Sequence, residues 1–182
     1  EIAFVEEMLE KAQGLKPWRV VQGGAERQYS IANGMAHLAA DADIVLVHDA
    51  ARPLVSLAAI EAVISAAREK GAAIAAVRAK NTIKVVGEDG RVEATPARAS
   101  LWEVQTPQGF RREILQRAYE KAAQDGFLGT DDASLVERIG EAVFVVESDY
   151  GNLKITTPED LWMAEALLTH SAGIVDEMKV TI

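Results

Sequence analysis

Ile44-Val45-Leu46-Val47-His48-Asp49-Ala50-Ala51-Arg52-Pro53 opens with an unbroken apolar run and closes on charge and proline. A short, wholly apolar run of this kind is what a strand covered on both faces looks like. Downstream, Ser56 can cap a helix to Lys70 that turns Ile60, Val63, Ile64 and Ala67 inward. Gly71 ends that helix and Ala72–Val77 is a second apolar run. Strand, helix, strand at this spacing is the βαβ pattern of a parallel sheet with helices on both faces.

The same pattern extends both ways. Upstream, Glu1–Gln13 reads as an amphipathic helix with Phe4, Val5, Met8, Leu9 and Ala12 on one stripe. Gly14 and Pro17 close it, Trp18–Val21 reads as a short strand before Gly23-Gly24, and Ser30–Ala40 carries Ile31, Met35, Leu38 and Ala39 at helical spacing. Downstream, Thr82–Val86 and Arg91–Ala94 flank Gly87-Glu88-Asp89-Gly90, a hairpin signal. Many of their residues are polar, so an arm leaving the main sheet is expected, and a second subunit is its natural support. After Leu101–Gln105, Thr106-Pro107 reads as a turn into a helix from about Arg111 to Ala123. Thr130-Asp131-Asp132 starts a helix through Ile139, Val143–Val146 is a strand, and Thr157-Pro158-Glu159-Asp160 starts a helix through His170.

Composition narrows the function. The chain has 182 residues, 49% hydrophobic and 26% charged, which fits one ordinary globular domain. No apolar run approaches the roughly 20 residues of a membrane-spanning helix, and no signal-peptide pattern is present. With no cysteine, thiolate catalysis, disulfides and Cys zinc sites are excluded. This suits a reducing cytoplasm. A net charge of −9 disfavours a general nucleic-acid surface, though a local basic pocket can still take small phosphorylated ligands. The chain opens on Glu1 rather than Met, and upstream sequence is expected to be missing.

In an open α/β sheet the ligand lies beyond the carboxyl ends of the strands. Four segments sit there: Gly23–Ser30, Asp49–Pro53, Lys80–Lys84 and Asn152-Leu153-Lys154. They bring Arg27, Arg52, Lys84 and Lys154, the hydroxyls of Ser30 and Thr82, a small Gly24, and one carboxylate, Asp49. Cations and hydroxyls at strand ends suit a phosphate ester, and a carboxylate among them suits Mg²⁺ or a sugar hydroxyl. Plainer readings stand beside these. Gly23-Gly24 can be a simple turn, Glu26 and Arg27 a solvated pair, Asp49 a turn cap, and Asp131 and Asp132 helix N-terminal acids. His48 reads as structural, His37 and His170 as surface residues, and Trp18, Trp102 and Trp162 as core. No Ser-His-Asp order, His-Glu-x-x-His helix or complete phosphate-binding glycine loop is present, which argues against nucleophilic and zinc mechanisms.

Six blocks taken in order resemble a known family. They are Gly23-Gly24-Ala25-Glu26-Arg27-Gln28-Tyr29-Ser30, His48-Asp49-Ala50-Ala51-Arg52-Pro53, Asn81-Thr82-Ile83-Lys84, Gln105-Thr106-Pro107-Gln108, Thr130-Asp131-Asp132-Ala133 and Asn152-Leu153-Lys154-Ile155-Thr156. Their order and spacing are similar to those of the 2-C-methyl-D-erythritol 4-phosphate cytidylyltransferases. The resemblance implies an α/β, three-layer Rossmann-like nucleotidyltransferase sheet over 1–182, with a protruding β-arm at 79–100 that clasps a homodimer. It implies CTP and methylerythritol phosphate as substrates, with Mg²⁺, and the CDP-alcohol and pyrophosphate as products.

Carried over by position, the resemblance puts Gly24, Ala25 and Ser30 in the cytidine pocket and Ala50 beside the ribose. Asp49, Arg52 and Thr130 would face the acceptor, with Thr82 reaching it from the arm, and Arg98 and Lys154 would position its phosphate for attack, Lys154 touching both substrates. Two departures stand out. The family's opening strand and glycine-rich loop have no counterpart before Glu1, so little turnover is expected of the chain as written; Ala25 and Asn81 stand where many members have Asp. A ribitol 5-phosphate cytidylyltransferase and a non-catalytic nucleotide-binding or dimerisation module are the competing expectations.

Overall fold

The computed structural model describes the backbone of residues 2–179 and the side chains of residues 2–170. Its centre is a four-stranded sheet in the order β1-β5-β2-β6, built from β1 (Ile44–Val47), β5 (Trp102–Arg111), β2 (Ala72–Arg78) and β6 (Phe144–Glu147). β2 and β6 are parallel, whereas β5 is antiparallel to both β1 and β2. The sheet is therefore mixed, where the sequence pattern predicts an all-parallel one. The reason lies in the arm. The chain leaves the carboxyl end of β2, makes the hairpin of β3 (Val85–Val86) and β4 (Val92–Ala94), and re-enters at the same end, so the returning strand must run the other way.

Side-chain alternation builds a layer on each face. Val45, Val47 and Phe110 point to one side and join Ile114, Leu115, Ala118 and Ala122 of α4 (Arg112–Asp125) with Leu135 and Val136 of α5 (Asp132–Arg138). Ile31, Ala32 and Met35 of α2 (Arg27–Met35) pack against that cluster. On the other side α3 (Leu57–Lys70) lies close to the sheet through Val63 and Ala67. Gly109 makes that approach possible: a Cβ there would stand 2.7 Å from Val63 Cγ1 and 3.0 Å from Leu46 Cδ2. Ser56 caps α3 as its sequence predicts, its hydroxyl accepting from the Ala59 amide at 3.2 Å.

Other expectations need correction. Trp18–Val21 is not a strand. Among the described residues it has no ladder partner, and β propensity alone makes no strand without a neighbour to bond to. Thr106-Pro107 is not a turn but lies within β5, with a cis peptide bond. Proline lacks the amide hydrogen a ladder needs, and here it falls opposite the register shift between Ile74 and Ala76. α1 (Ile2–Lys11) forms, yet buries none of its residues, and Phe4 and Met8 are exposed. Trp18 and Trp162 are also exposed rather than core, and Trp102 stacks under Arg78 at 4.4 Å. The helix predicted to His170 is α6, Pro158–Lys179. No helix among the described residues is long and apolar enough to cross a membrane.

Candidate active site

The carboxyl ends of β1, β2 and β6 and the amino half of β5 meet at one rim, and buried amides hold their loops there. Asn152, fully buried, donates from Nδ2 to Gln105 Oε1 and to the Thr106 carbonyl, both at 2.9 Å. Gln105 in turn donates to the Asp149 carbonyl at 3.2 Å, and the Ile155 amide bonds the Ala51 carbonyl at 2.8 Å. These contacts carry the segment after β6 across to the loop after β1.

A second chain of bonds shapes that loop. The Asp49 amide donates to Thr106 Oγ1 at 3.0 Å, Thr106 Oγ1 lies 3.0 Å from His48 Nδ1, and His48 Nε2 lies 3.1 Å from the Arg52 carbonyl. A carbonyl can only accept, so Nε2 carries the ring proton and Nδ1 accepts from the threonine hydroxyl. His48 is structural, as its sequence position predicts; both ring nitrogens are occupied in pinning the turn.

The result is a charged knot around Asp49. Lys154 Nζ lies 3.0 Å from Asp49 Oδ2, Arg27 Nε 3.4 Å from Oδ1, and Arg52 Nε 3.9 Å from Oδ2. Burial pushes the Asp49 carboxyl upward, but the hydrogen bond and charge of Lys154, and then Arg27, outweigh it and hold the group below the ordinary aspartate range. Arg52 donates from Nη1 to the Asn152 carbonyl at 2.7 Å, while its buried Nε has no hydrogen-bond partner. Burial lowers the Arg52 pKa, and the nearby Asp49 offsets only part of that.

Two clefts open on this knot, each of ≈ 360 Å³. The first is lined by Ser30, Ile31, Ala50 and Ala51, and the second by Arg52, Gln105, Thr106 and Thr130. Arg27, Asp49 and Lys154 belong to both and form the shared wall. Polar ligands seated on either side of that wall would meet over its cations.

The expected site residues are thus partly assembled. Asp49, Arg52, Thr130 and Lys154 line the second cleft, and Ser30, Ala50 and Lys154 the first. Gly24 stands just behind the first: its amide donates to Ser30 Oγ at 3.0 Å, and a Cβ on it would fall 2.4 Å from that of Tyr29. Ala25 lines neither cleft. Thr82 and Arg98 also line neither; both are exposed on or beside the arm, and Arg98 donates to the Lys80 carbonyl at 3.1 Å.

Sequence reasoning counted Arg27 among the strand-end cations but missed its bridge to Asp132. Arg27 is no solvated partner of Glu26 but bridges Asp49 and Asp132. Asp132 is the first-turn acid its position predicts, but it is buried, 1% exposed, and accepts from the Tyr119 hydroxyl at 2.5 Å. Only contacts distant in sequence could reveal this, although one buried amide hints at it. Gln28, next to Arg27, bonds the Phe127 carbonyl and the Gly129 amide, tying α2 to the loop before α5.

A three-layer mixed sheet whose strand ends converge on paired clefts with a common cationic wall has the form of a Rossmann-like nucleotidyltransferase. The chain belongs to the IspD family of 2-C-methyl-D-erythritol 4-phosphate cytidylyltransferases, whose model matches residues 2–170. The 2-C-methyl-D-erythritol 4-phosphate cytidylyltransferase of Caldanaerobacter subterraneus is 51% identical over 163 residues, covering 90% of this chain and 72% of the relative. That of Bacillus pumilus is 52% identical over 158 residues, covering 86% and 68%. A crystal structure of 4-diphosphocytidyl-2C-methyl-D-erythritol synthase from Anaerococcus prevotii superposes with a TM-score of 0.84 at 36% identity, covering 92% of this chain and 76% of that one.

Proposed function

We propose that the protein transfers the cytidylyl group of CTP to 2-C-methyl-D-erythritol 4-phosphate, giving the CDP-alcohol and pyrophosphate. The observation that carries this reading is the wall of Arg27, Asp49 and Lys154 shared by two adjoining clefts. The first cleft, with small residues and the Ser30 hydroxyl, suits the cytidine. The second, with Arg52 and Thr130, suits the polar acceptor. A phosphate oxygen of the acceptor attacks the α-phosphorus, the bond from that phosphorus to the bridging oxygen breaks, and pyrophosphate leaves with the electron pair.

Two polyanions must approach each other for this to happen, so the task of the protein is positioning and charge neutralisation. Lys154 reaches both ligands, and Arg52 adds a second cation to the wall of the acceptor cleft. No side chain need act as nucleophile. In this reading Mg²⁺ arrives with the triphosphate, the usual mode for this ion. The chain's own residues make a poor cage for it: among those described no three carboxylates or histidines converge, and Asp49 is engaged by cations.

In this reading the arm crosses to a twofold partner in the cytoplasm, so that Thr82 and Arg98 complete the site of the other subunit. The exposed apolar residues Ile83, Val85, Val86 and Val92 on the ribbon support that docking, since such a ribbon is marginal in water alone. Pyrophosphate release from the full-length protein with CTP, Mg²⁺ and either methylerythritol phosphate or ribitol 5-phosphate tests the function. Release with the first acceptor only is expected. Release only with ribitol phosphate would reassign the acceptor, and none with either would leave a binding module.

A further inference from the structure

Arg27 is held in an unusual way. Its guanidinium stands between the two clefts on one side and a small cavity of ≈ 70 Å³ on the other, so packing alone does not fix its head. Two carboxylates do. Asp49 Oδ1 lies 3.4 Å from Nε, and Asp132 Oδ2 lies 2.9 Å from Nη2, though not aligned as a hydrogen bond. Nη1 has no partner among the described residues, and the side chain remains 40% exposed. Burial opposes the charge on Arg27, but Asp132 and then Asp49 raise its pKa above the ordinary arginine value.

Asp132 is the less expected of these two. Helix α5 is already capped by Asp131, which accepts from the Ser134 amide at 2.9 Å, so Asp132 is not needed for the cap. It turns inward instead and is bonded by the Tyr119 hydroxyl from α4. Burying a carboxylate is costly unless it is paired. Burial and that charge together keep the tyrosine protonated, well above its usual range, so it remains a donor throughout neutral pH. The arrangement runs Tyr119, Asp132, Arg27, Asp49, from the core to the wall between the clefts.

We propose that Arg27 is a substrate-facing cation at the wall between the clefts and that Asp132, seated by Tyr119, is the positioning residue that aims it at the phosphates meeting there. The inference rests on the two-substrate reading above. It predicts that Asp132 acts on turnover through Arg27 and not independently.

A double-mutant cycle on the full-length protein, read by pyrophosphate release with CTP and methylerythritol phosphate, tests this. Arg27→Ala should lower kcat/KM about 10²-fold and Asp132→Asn about tenfold, the scale of losing one aimed cation or its aim. The double variant should be within about threefold of Arg27→Ala alone, whereas independent roles would multiply to about 10³-fold. Thermal melting separates folding from aim. Arg27→Ala leaves a buried carboxylate without its cation, so the double variant should melt higher than Arg27→Ala while staying equally slow.

Tyr119→Phe keeps the ring and removes only the donor. It should slow turnover several-fold in the native background and not at all beside Arg27→Ala, and it serves if Asp132→Asn does not fold. Multiplying losses, or native rates in both Asp132→Asn and Tyr119→Phe, would overturn the inference while leaving the function intact. If the unaltered protein releases no pyrophosphate with any acceptor, the functional reading fails instead, and calorimetric CTP binding decides the matter. Arg27→Ala and Asp132→Asn must then weaken CTP binding non-additively, and additive or absent effects overturn the inference.

Discussion

Lys154, on the loop after the last strand of the sheet, places its ammonium 3.0 Å from the carboxylate of Asp49, on the loop after the first. The pair closes the wall between the two clefts, and each partner is fixed by different parts of the chain. The Asp49 amide hangs on Thr106, and the loop carrying Lys154 hangs on the buried Asn152. Acidic and basic groups that offset one another along this wall are what an incoming phosphate has to rearrange.

Lys154→Ala should therefore cost function and little else. The Lys154 side chain is 45% exposed, and an ion pair with an exposed partner contributes only about 0–1 kcal/mol to stability. Its loss from a site that neutralises phosphates should lower turnover about 10²-fold. Steady-state pyrophosphate release beside a melting curve checks both halves; a fall in melting temperature that accounts for the lost rate would contradict the assignment.

Acid should weaken the knot through Asp49. A carboxyl whose folded pKa lies below its unfolded value, about 3.9, contributes stability above that value and loses it as pH falls through the folded pKa. Urea unfolding between pH 3 and 7 should therefore show the stability gap between the native protein and Asp49→Asn shrinking below about pH 4. A gap that stays constant over the whole range would mean that Asp49 is not held down by Lys154 and Arg27.

Arg98 lines neither cleft of its own chain, so the proposed dimer is what would give it a role at a site. Arg98→Ala and Lys154→Ala should each be nearly inactive, yet subunits mixed after unfolding and refolding together should recover up to about one quarter of native activity if each site draws Arg98 from the partner. No recovery would place a complete site within one subunit.

Gly109→Ala tests the packing of α3 on the sheet. The added methyl would meet Val63, Leu46 and Ala67, none of them a flexible chain end, and overpacking of this kind costs about 1–3 kcal/mol. Denaturant midpoints report it directly. A neutral effect would show that α3 can retreat without cost.

Where a signal was confined to neighbouring residues, reading it was straightforward. The Ser56 cap and the helix it begins, the apolar runs of β1 and β2, and the Gly87–Gly90 turn with its two short strands are all present. Capping, helical periodicity and turn chemistry act over a few residues, so the linear order alone contains them. The cluster of Asp49, Arg52 and Lys154 was also legible, because strand ends in an open sheet converge and charged residues there stand out.

Sequence by itself determined most of the helices, the apolar runs of β1 and β2 and the family-like blocks; the tertiary structure decided which groups stand together. The antiparallel run of β5, Pro107 inside a strand, the unburied α1 and the Tyr119–Asp132–Arg27 chain depend on partners far along the polypeptide. Ladder pairing and the burial of a charge are properties of two segments at once, and neither segment carries the other's position in its own residues. An aspartate in the first turn of a helix looks the same whether it faces water or a buried tyrosine, until the chain folds around it.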